Sequence, residues 1–137
     1  EKIIKYNFFL LYGDNYVNFN FKRYQNFIIE NKNKFNFIIK KSNQSGEFGN
    51  IKLNKKKINY LNKKNKKFNY LDLGFFSLTP KIFKHIPNKN ISFSKTIKKL
   101  SDLNLLNGYI TTAEYLSITN KNKLANTRKR IGNLINN

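Results

Sequence analysis

Two spacings of apolar positions alternate along this chain, one of strands and one of helices. Phe8-Phe9-Leu10-Leu11-Tyr12 is an unbroken apolar run ended by Gly13-Asp14, the pattern of a strand buried on both faces of a sheet. After a short loop, Phe19, Tyr24, Phe27 and Ile28 fall at helical spacing, which predicts an amphipathic helix over residues 20–31 with Asn18 or Asn20 as its N-cap. Residues 35–39 form the next strand. Strand, helix and strand within about 30 residues define a βαβ unit with a parallel pair and a right-handed crossover. Residues 42–46 are turn-rich. Residues 48–53 and 58–61, joined by a basic turn at 54–57, predict a hairpin, and residues 62–67 read as a solvated Lys/Asn loop.

Residues 68–78 are the second long apolar strand, with Asp72 and Gly74 inside it. Thr79-Pro80 is a sound helix start, and that helix runs to about His85 before Pro87 stops it. Ser92 or Ser94 caps another helix to about Leu103, with Phe93, Ile97 and Leu100 on one face. Two short strands, 108–112 and 115–118, precede a basic helix opened by Asn120 or Asn122 and ending near Ile131. The expected architecture is α/β: a mixed sheet, a core βαβ unit and an inserted β-hairpin, in one domain over residues 1–137.

Composition changes the picture in three ways. There is no cysteine, hence no disulfide framework, which fits a reducing, cytoplasmic setting. No apolar run approaches the roughly 18–20 residues that span a bilayer, and Glu1-Lys2-Ile3-Ile4-Lys5 lacks the apolar core of a signal peptide. No membrane partner is expected. The first residue is Glu1 instead of Met, as in a piece of a longer protein. The net charge of +20 comes from 27 Lys and Arg against 7 Asp and Glu. Lys, Asn, Ile, Phe and Tyr are inflated together, as A/T-rich codon usage would produce. The only arginines are Arg23, Arg128 and Arg130, few for bidentate phosphate work. A basic nucleic-acid-binding module is therefore the alternative and not the main reading.

The same bias makes the acids informative: Glu1, Asp14, Glu30, Glu47, Asp72, Asp102 and Glu114. Those on apolar strands are the ones to question. Asp14 ends its strand, where ligands of α/β folds bind. Behind Gly13, which lets a ligand approach closely, its carboxylate could hold a divalent cation against a phosphate; the plainer reading is a Gly-Asp turn. His85 is the sole histidine, with a helix-terminal or surface role.

In this order the elements resemble the C-terminal half to two-thirds of a sugar-1-phosphate nucleotidyltransferase, closest to heptose-1-phosphate guanylyltransferases. Phe9-Leu10-Leu11-Tyr12-Gly13-Asp14 resembles the strand whose Asp ligates Mg2+. Glu47-Phe48-Gly49-Asn50-Ile51 is similar to the segment lying along the sugar. Tyr60-Leu61-Asn62-Lys63 falls where the family has an aromatic residue followed by Glu-Lys. Tyr70-Leu71-Asp72-Leu73-Gly74 resembles the sugar-binding segment, Asn90-Ile91-Ser92-Phe93-Ser94 the phrase opening the next helix, and Gly108-Tyr109 with Tyr115-Leu116-Ser117-Ile118-Thr119 the closing strands.

The resemblance implies a Rossmann-like fold without its N-terminal nucleotide-binding portion. It implies transfer of a nucleoside monophosphate from an NTP, GTP among the candidates, to a heptose 1-phosphate, as in precursor synthesis for cell-surface polysaccharide. Asp14 would be the catalytic Mg2+ ligand, and Gly13, Gly49, Lys63, Asp72 and Gly74 the substrate contacts. A homo-oligomer or a fused phosphatase domain would be the partner. Gly74 reads as a bulge or as room for a sugar ring. Asp72 reads as an acceptor for sugar hydroxyls or as a charge on the exposed face of an edge strand. Asn62 replaces the family's Glu, and Ser117 stands where many members have a second metal-binding Asp. A degenerate, non-catalytic sugar-phosphate-binding domain is the alternative these departures suggest.

Overall fold

The computed structural model describes residues 4–44, 47–55, 57–87 and 90–135. Strands β1 (Phe8–Leu11), β3 (Phe35–Lys41), β4 (Gly49–Asn54), β5 (Lys57–Asn65), β6 (Tyr70–Leu78) and β7 (Leu106–Ile110) form one mixed sheet. Strands β2 (Asn15–Asn18) and β8 (Glu114–Ser117) form a separate antiparallel pair. The helices are α1 (Phe21–Glu30), α2 (Phe93–Asp102) and α3 (Lys121–Ile135), with short 3-10 turns at Ser42–Gln44 and Pro80–Lys84. The fold is thus α/β with a mixed sheet, as expected, and β4 and β5 form the expected hairpin at one edge.

β6 is the axis of the sheet. β3 runs antiparallel along one flank of β6. Because β3 already occupies that flank at Phe76 and Ser77 and again at Tyr70, the opposite flank takes β4 near Tyr70 and β1 near Phe75 to Leu78. β7 then pairs parallel with β3. α1 and α2 cover opposite faces. Phe37, Ile39, Phe76 and Leu78 pack with Ile97 and Leu100 of α2, while Ile38, Leu71 and Leu73 pack with Tyr24, Phe27 and Ile28 of α1. The alternation Phe37, Ile38, Ile39 between those clusters is the period-2 rule of a strand covered on both sides. Asn20 caps α1, its Oδ1 accepting from the Arg23 N–H at 2.9 Å, as the sequence predicts.

Several expectations need correction. β1 is not buried on both faces: Phe8 and Leu10 turn inward, while Phe9 is 44% and Leu11 57% exposed. Among the described residues its only strand partner is β6, so no strand covers its second edge, and on its outer face Phe9 meets the rings of Phe21 and Phe75 while staying half exposed. The strand that carries six buried residues in a row is β3. The parallel pair is β3 with β7 and not β1 with β3, because β6 lies between those two. The loop after Asp14 is strand β2, and the Lys/Asn stretch expected as a loop continues β5 to Asn65. The turn at Thr79-Pro80 is a 3-10 helix whose Thr79 side chain makes no cap hydrogen bond. Among the described residues no helix is long and apolar enough to cross a membrane.

Candidate functional site

β6 does not run straight. Phe37 pairs with Phe76, but Ile39, two residues on, pairs with Asp72, four residues back. β6 therefore carries two extra residues around Gly74, which has φ +71°, a conformation open to glycine at little cost. The Asp72 carboxylate builds this bulge: Oδ1 accepts the Gly74 N–H at 2.7 Å and Oδ2 the Tyr60 hydroxyl at 3.3 Å. The Asp72 N–H donates to Asn50 Oδ1 at 2.9 Å. Asp72 is only 7% exposed, on a strand with neighbours on both flanks. The exposed-edge reading of Asp72 is thereby corrected: it is a buried, hydrogen-bonded acceptor.

The bulge meets the segment after β1. The Gly74 carbonyl accepts the Tyr12 N–H at 2.9 Å, and a Cβ on Gly74 would lie 2.5 Å from the Tyr12 ring and 2.6 Å from Asn15 Nδ2. The space beside Gly74 is therefore filled in part by this chain's own tyrosine and asparagine. Asn15 donates from Nδ2 to the Leu73 carbonyl at 3.1 Å and accepts from the Tyr115 hydroxyl at 3.3 Å. The β2–β8 pair sets Asn15 opposite Ser117, and the Ile118 N–H donates to the Asp14 carbonyl at 2.8 Å. Asp14 and Ser117, far apart in sequence, thus arrive side by side. Asp14 and Gly13 are exposed.

Beside this seam lies a cleft of about 560 Å³ lined by Tyr115, Ser117, Glu47, Lys123, Thr127 and Arg130, among others. Glu47 Oε1 accepts from the Lys123 ammonium and, at 3.3 Å, from the Ser117 hydroxyl. Lys123 also reaches Ser117 Oγ at 3.2 Å, and Arg130 pairs with Glu114. Three carboxylates surround the phenols here. Burial, then Asp72, then Asp14 push the Tyr12 hydroxyl far above its ordinary pKa. Burial, then Glu47, with smaller effects from Asp72 and Asp14, raise Tyr115 from 10.0 to about 12. Both phenols stay neutral donors at physiological pH.

Of the residues singled out in sequence, Asp14, Gly13, Asp72 and Gly74 come to one end of the sheet. Gly49 is nearby in the hairpin, buried where a Cβ would lie 2.2 Å from the Phe68 carbonyl oxygen, so its missing side chain lets two backbones meet. The side chain of Lys63 lies outside the described residues. His85 ends the 3-10 turn at the other end of β6, its ring edge-on to Phe35. Sequence reasoning missed Asn15 and Lys123 as parts of the seam. In a chain saturated with Asn and Lys, residue type carries no signal; the β2–β8 pairing singles out Asn15, and the start of α3 beside Ser117 singles out Lys123.

Among the described residues no three His, Cys, Asp or Glu side chains are grouped to hold a metal ion. The donor set is still compatible with Mg2+, which is commonly held by one or two carboxylates together with a ligand's phosphates; the exposed Asp14 carboxylate is the group available for that.

No protein-family model matches the sequence, and no curated protein matches it. Solved structures do. A protein assigned as a glucose-1-phosphate thymidylyltransferase from Bacillus anthracis, in complex with sucrose, superposes with a TM-score of 0.74 at 15% identity, over 89% of this chain and 53% of the other. UTP-bound UGPase from Acinetobacter baumannii gives 0.74 at 14% identity, over 92% and 50%. HddC from Yersinia pseudotuberculosis gives 0.68 at 15%, over 91% and 55%. The chain thus has the fold of these nucleotidyltransferase structures, and it spans about half the length of each.

Proposed function

We propose that this chain is the sugar-phosphate-binding part of a nucleotidyltransferase, equivalent to the C-terminal portion of its longer structural neighbours. In the whole reaction an oxygen of a sugar 1-phosphate attacks the α-phosphorus of an NTP in line. The bond from that phosphorus to the bridging oxygen breaks, and pyrophosphate leaves with the electron pair. Heptose 1-phosphate and GTP are the substrates on this reading. The observation that carries it is the seam itself: in a nucleotidyltransferase fold, Asp14 and the Asp72-to-Gly74 bulge converge through Asn15 on one end of the sheet.

Asp14 is the residue that would hold Mg2+; when bound, the cation offsets charge between the phosphates. Gly13 leaves the approach to that carboxylate open. Lys63 would meet the sugar phosphate as a point charge. Asp72, Gly74 and Gly49 fix the backbone against which the sugar lies, Asp72 by holding the bulge. Positioning and charge account for most catalysis of this kind.

The test is calorimetric titration with glucose 1-phosphate and heptose 1-phosphate, with and without Mg2+, for the unaltered chain and for Asp14→Ala. Binding that strengthens with Mg2+ and weakens about tenfold, near 1.4 kcal/mol, in Asp14→Ala is expected. Binding indifferent to both removes Asp14 from the role. One observation favours a second reading, a non-catalytic sugar-phosphate binder: Ser117 has no carboxylate and is engaged with Glu47 and Lys123. On that reading sugar phosphate binds equally without Mg2+.

A further inference from the structure

We propose a second ligand site at the opposite end of the sheet, for a small molecule carrying two or more linked phosphates. A cleft of about 510 Å³ opens there between the turn after α1 and the 3-10 turn after β6, a volume within the range of small-molecule sites. Its rim carries Lys32 and Lys34 from the first turn and Lys81 and His85 from the second, and Phe35 and Leu105 form an apolar wall. Among the described residues no aspartate or glutamate lines it. Lys34 touches only a neutral group among its described partners, Asn104 Oδ1 at 3.4 Å, and the Lys99 ammonium adds a further cation at the His85 carbonyl, 3.5 Å away.

The contrast with the cleft at the Asp14 end decides what this one could bind. There Lys123 and Arg130 are tied to Glu47 and Glu114, and four of the seven acids, Asp14, Glu47, Asp72 and Glu114, gather. Here no described acid offsets the positive charge along the lining. The two ends are separated by the length of β3: Phe35 stands in the basic cleft, and Ile39, opposite Asp72, is roughly 13 Å further along the strand. A cleft lined by one sign of charge over apolar walls focuses its field on an incoming anion. Lysine ammoniums are flexible point donors, and here they come from two separate chain segments. A ligand with two or more linked phosphates offers a charged group to each segment, whereas orthophosphate offers one group in all; this is why the class is oligophosphate.

The test is calorimetric titration with inorganic triphosphate, pyrophosphate and orthophosphate in EDTA, where the Mg2+-dependent reading of Asp14 plays no part. The unaltered chain is compared with Lys34→Gln/Lys81→Gln and with a charge-matched control, Lys22→Gln/Lys55→Gln, at exposed positions outside the cleft. Thermal melts establish that both pairs are folded. Triphosphate binding at least tenfold weaker in the cleft pair and within threefold in the control, with orthophosphate weakest throughout, is expected. Equal weakening in both pairs, which is what diffuse charge would give, overturns the site. So does binding unchanged in the cleft pair.

Discussion

Residues 8–12, wholly apolar or aromatic, and residues 35–39, broken by Asn36, are both strand-forming in the sequence and meet opposite fates. β3 has a strand on each flank and a helix over each face, so Phe37, Ile38 and Ile39 are all fully buried. β1 has β6 on one flank and no other strand among the described residues, so every second side chain faces outward. What separates them is neighbours, not residue type. An unbroken apolar run says that a strand can be covered twice; whether it is covered depends on the sheet order, which is a non-local property.

That difference can be broken or sharpened by substitution, measured as unfolding free energy in urea. The largest effect is expected for Phe37→Ala, which empties a site stacked on Phe76 with ring centroids 5.5 Å apart; the loss should be about 3–5 kcal/mol. A loss under about 1 kcal/mol there would mean that β3 is no better packed than β1. Gly74→Ala comes next, at about 2–3 kcal/mol, because it combines strained φ with a collision against Tyr12 and Asn15. It should loosen β1 from β6 first, which amide exchange at Tyr12 would register.

A smaller effect follows from pH. Tyr115 has its pKa raised from 10.0 to about 12 in the folded state. The unfolded chain therefore loses this proton first, and stability falls as pH rises from about 10 to 12 and is independent of this group below that window. Tyr115→Phe should flatten the decline by about 1 kcal/mol, discounted for partial exposure. The smallest effect is expected on the outer face of β1, where Leu11→Ser should cost no more than about 0.5 kcal/mol. A loss near that of Phe37→Ala would show that β1 is covered in solution.

Most element positions were legible because their periods are local. The 3.6-residue spacing of Tyr24, Phe27 and Ile28, the Asn20 cap and the two arms of the hairpin all announce themselves within a few residues. The α/β class follows from their order. What could not be read is what depends on pairing between distant segments. Nothing near Asn15 says that it will face Ser117, so β2 passed for a loop. Nothing near Asp72 says that β6 will be flanked on both sides, so its burial was invisible. At the candidate site the scarcity of acids pointed to Asp14 and Asp72, and the glycine within a strand pointed to the bulge. Lys123 had no such mark, being one lysine among many, and its place beside Glu47 and Ser117 is set by where α3 begins.

The arrangement around β6 has a consequence for how the molecule comes apart. One strand holds β3 along one side and, end to end along the other, both β4 and β1. Freeing it detaches the hairpin, the first strand and the βα core together, so a partly opened form that keeps two of the three is disfavoured. The amide hydrogens at Leu71, Leu73 and Phe76 should accordingly be among the last to exchange with solvent, at the cost of opening the whole sheet.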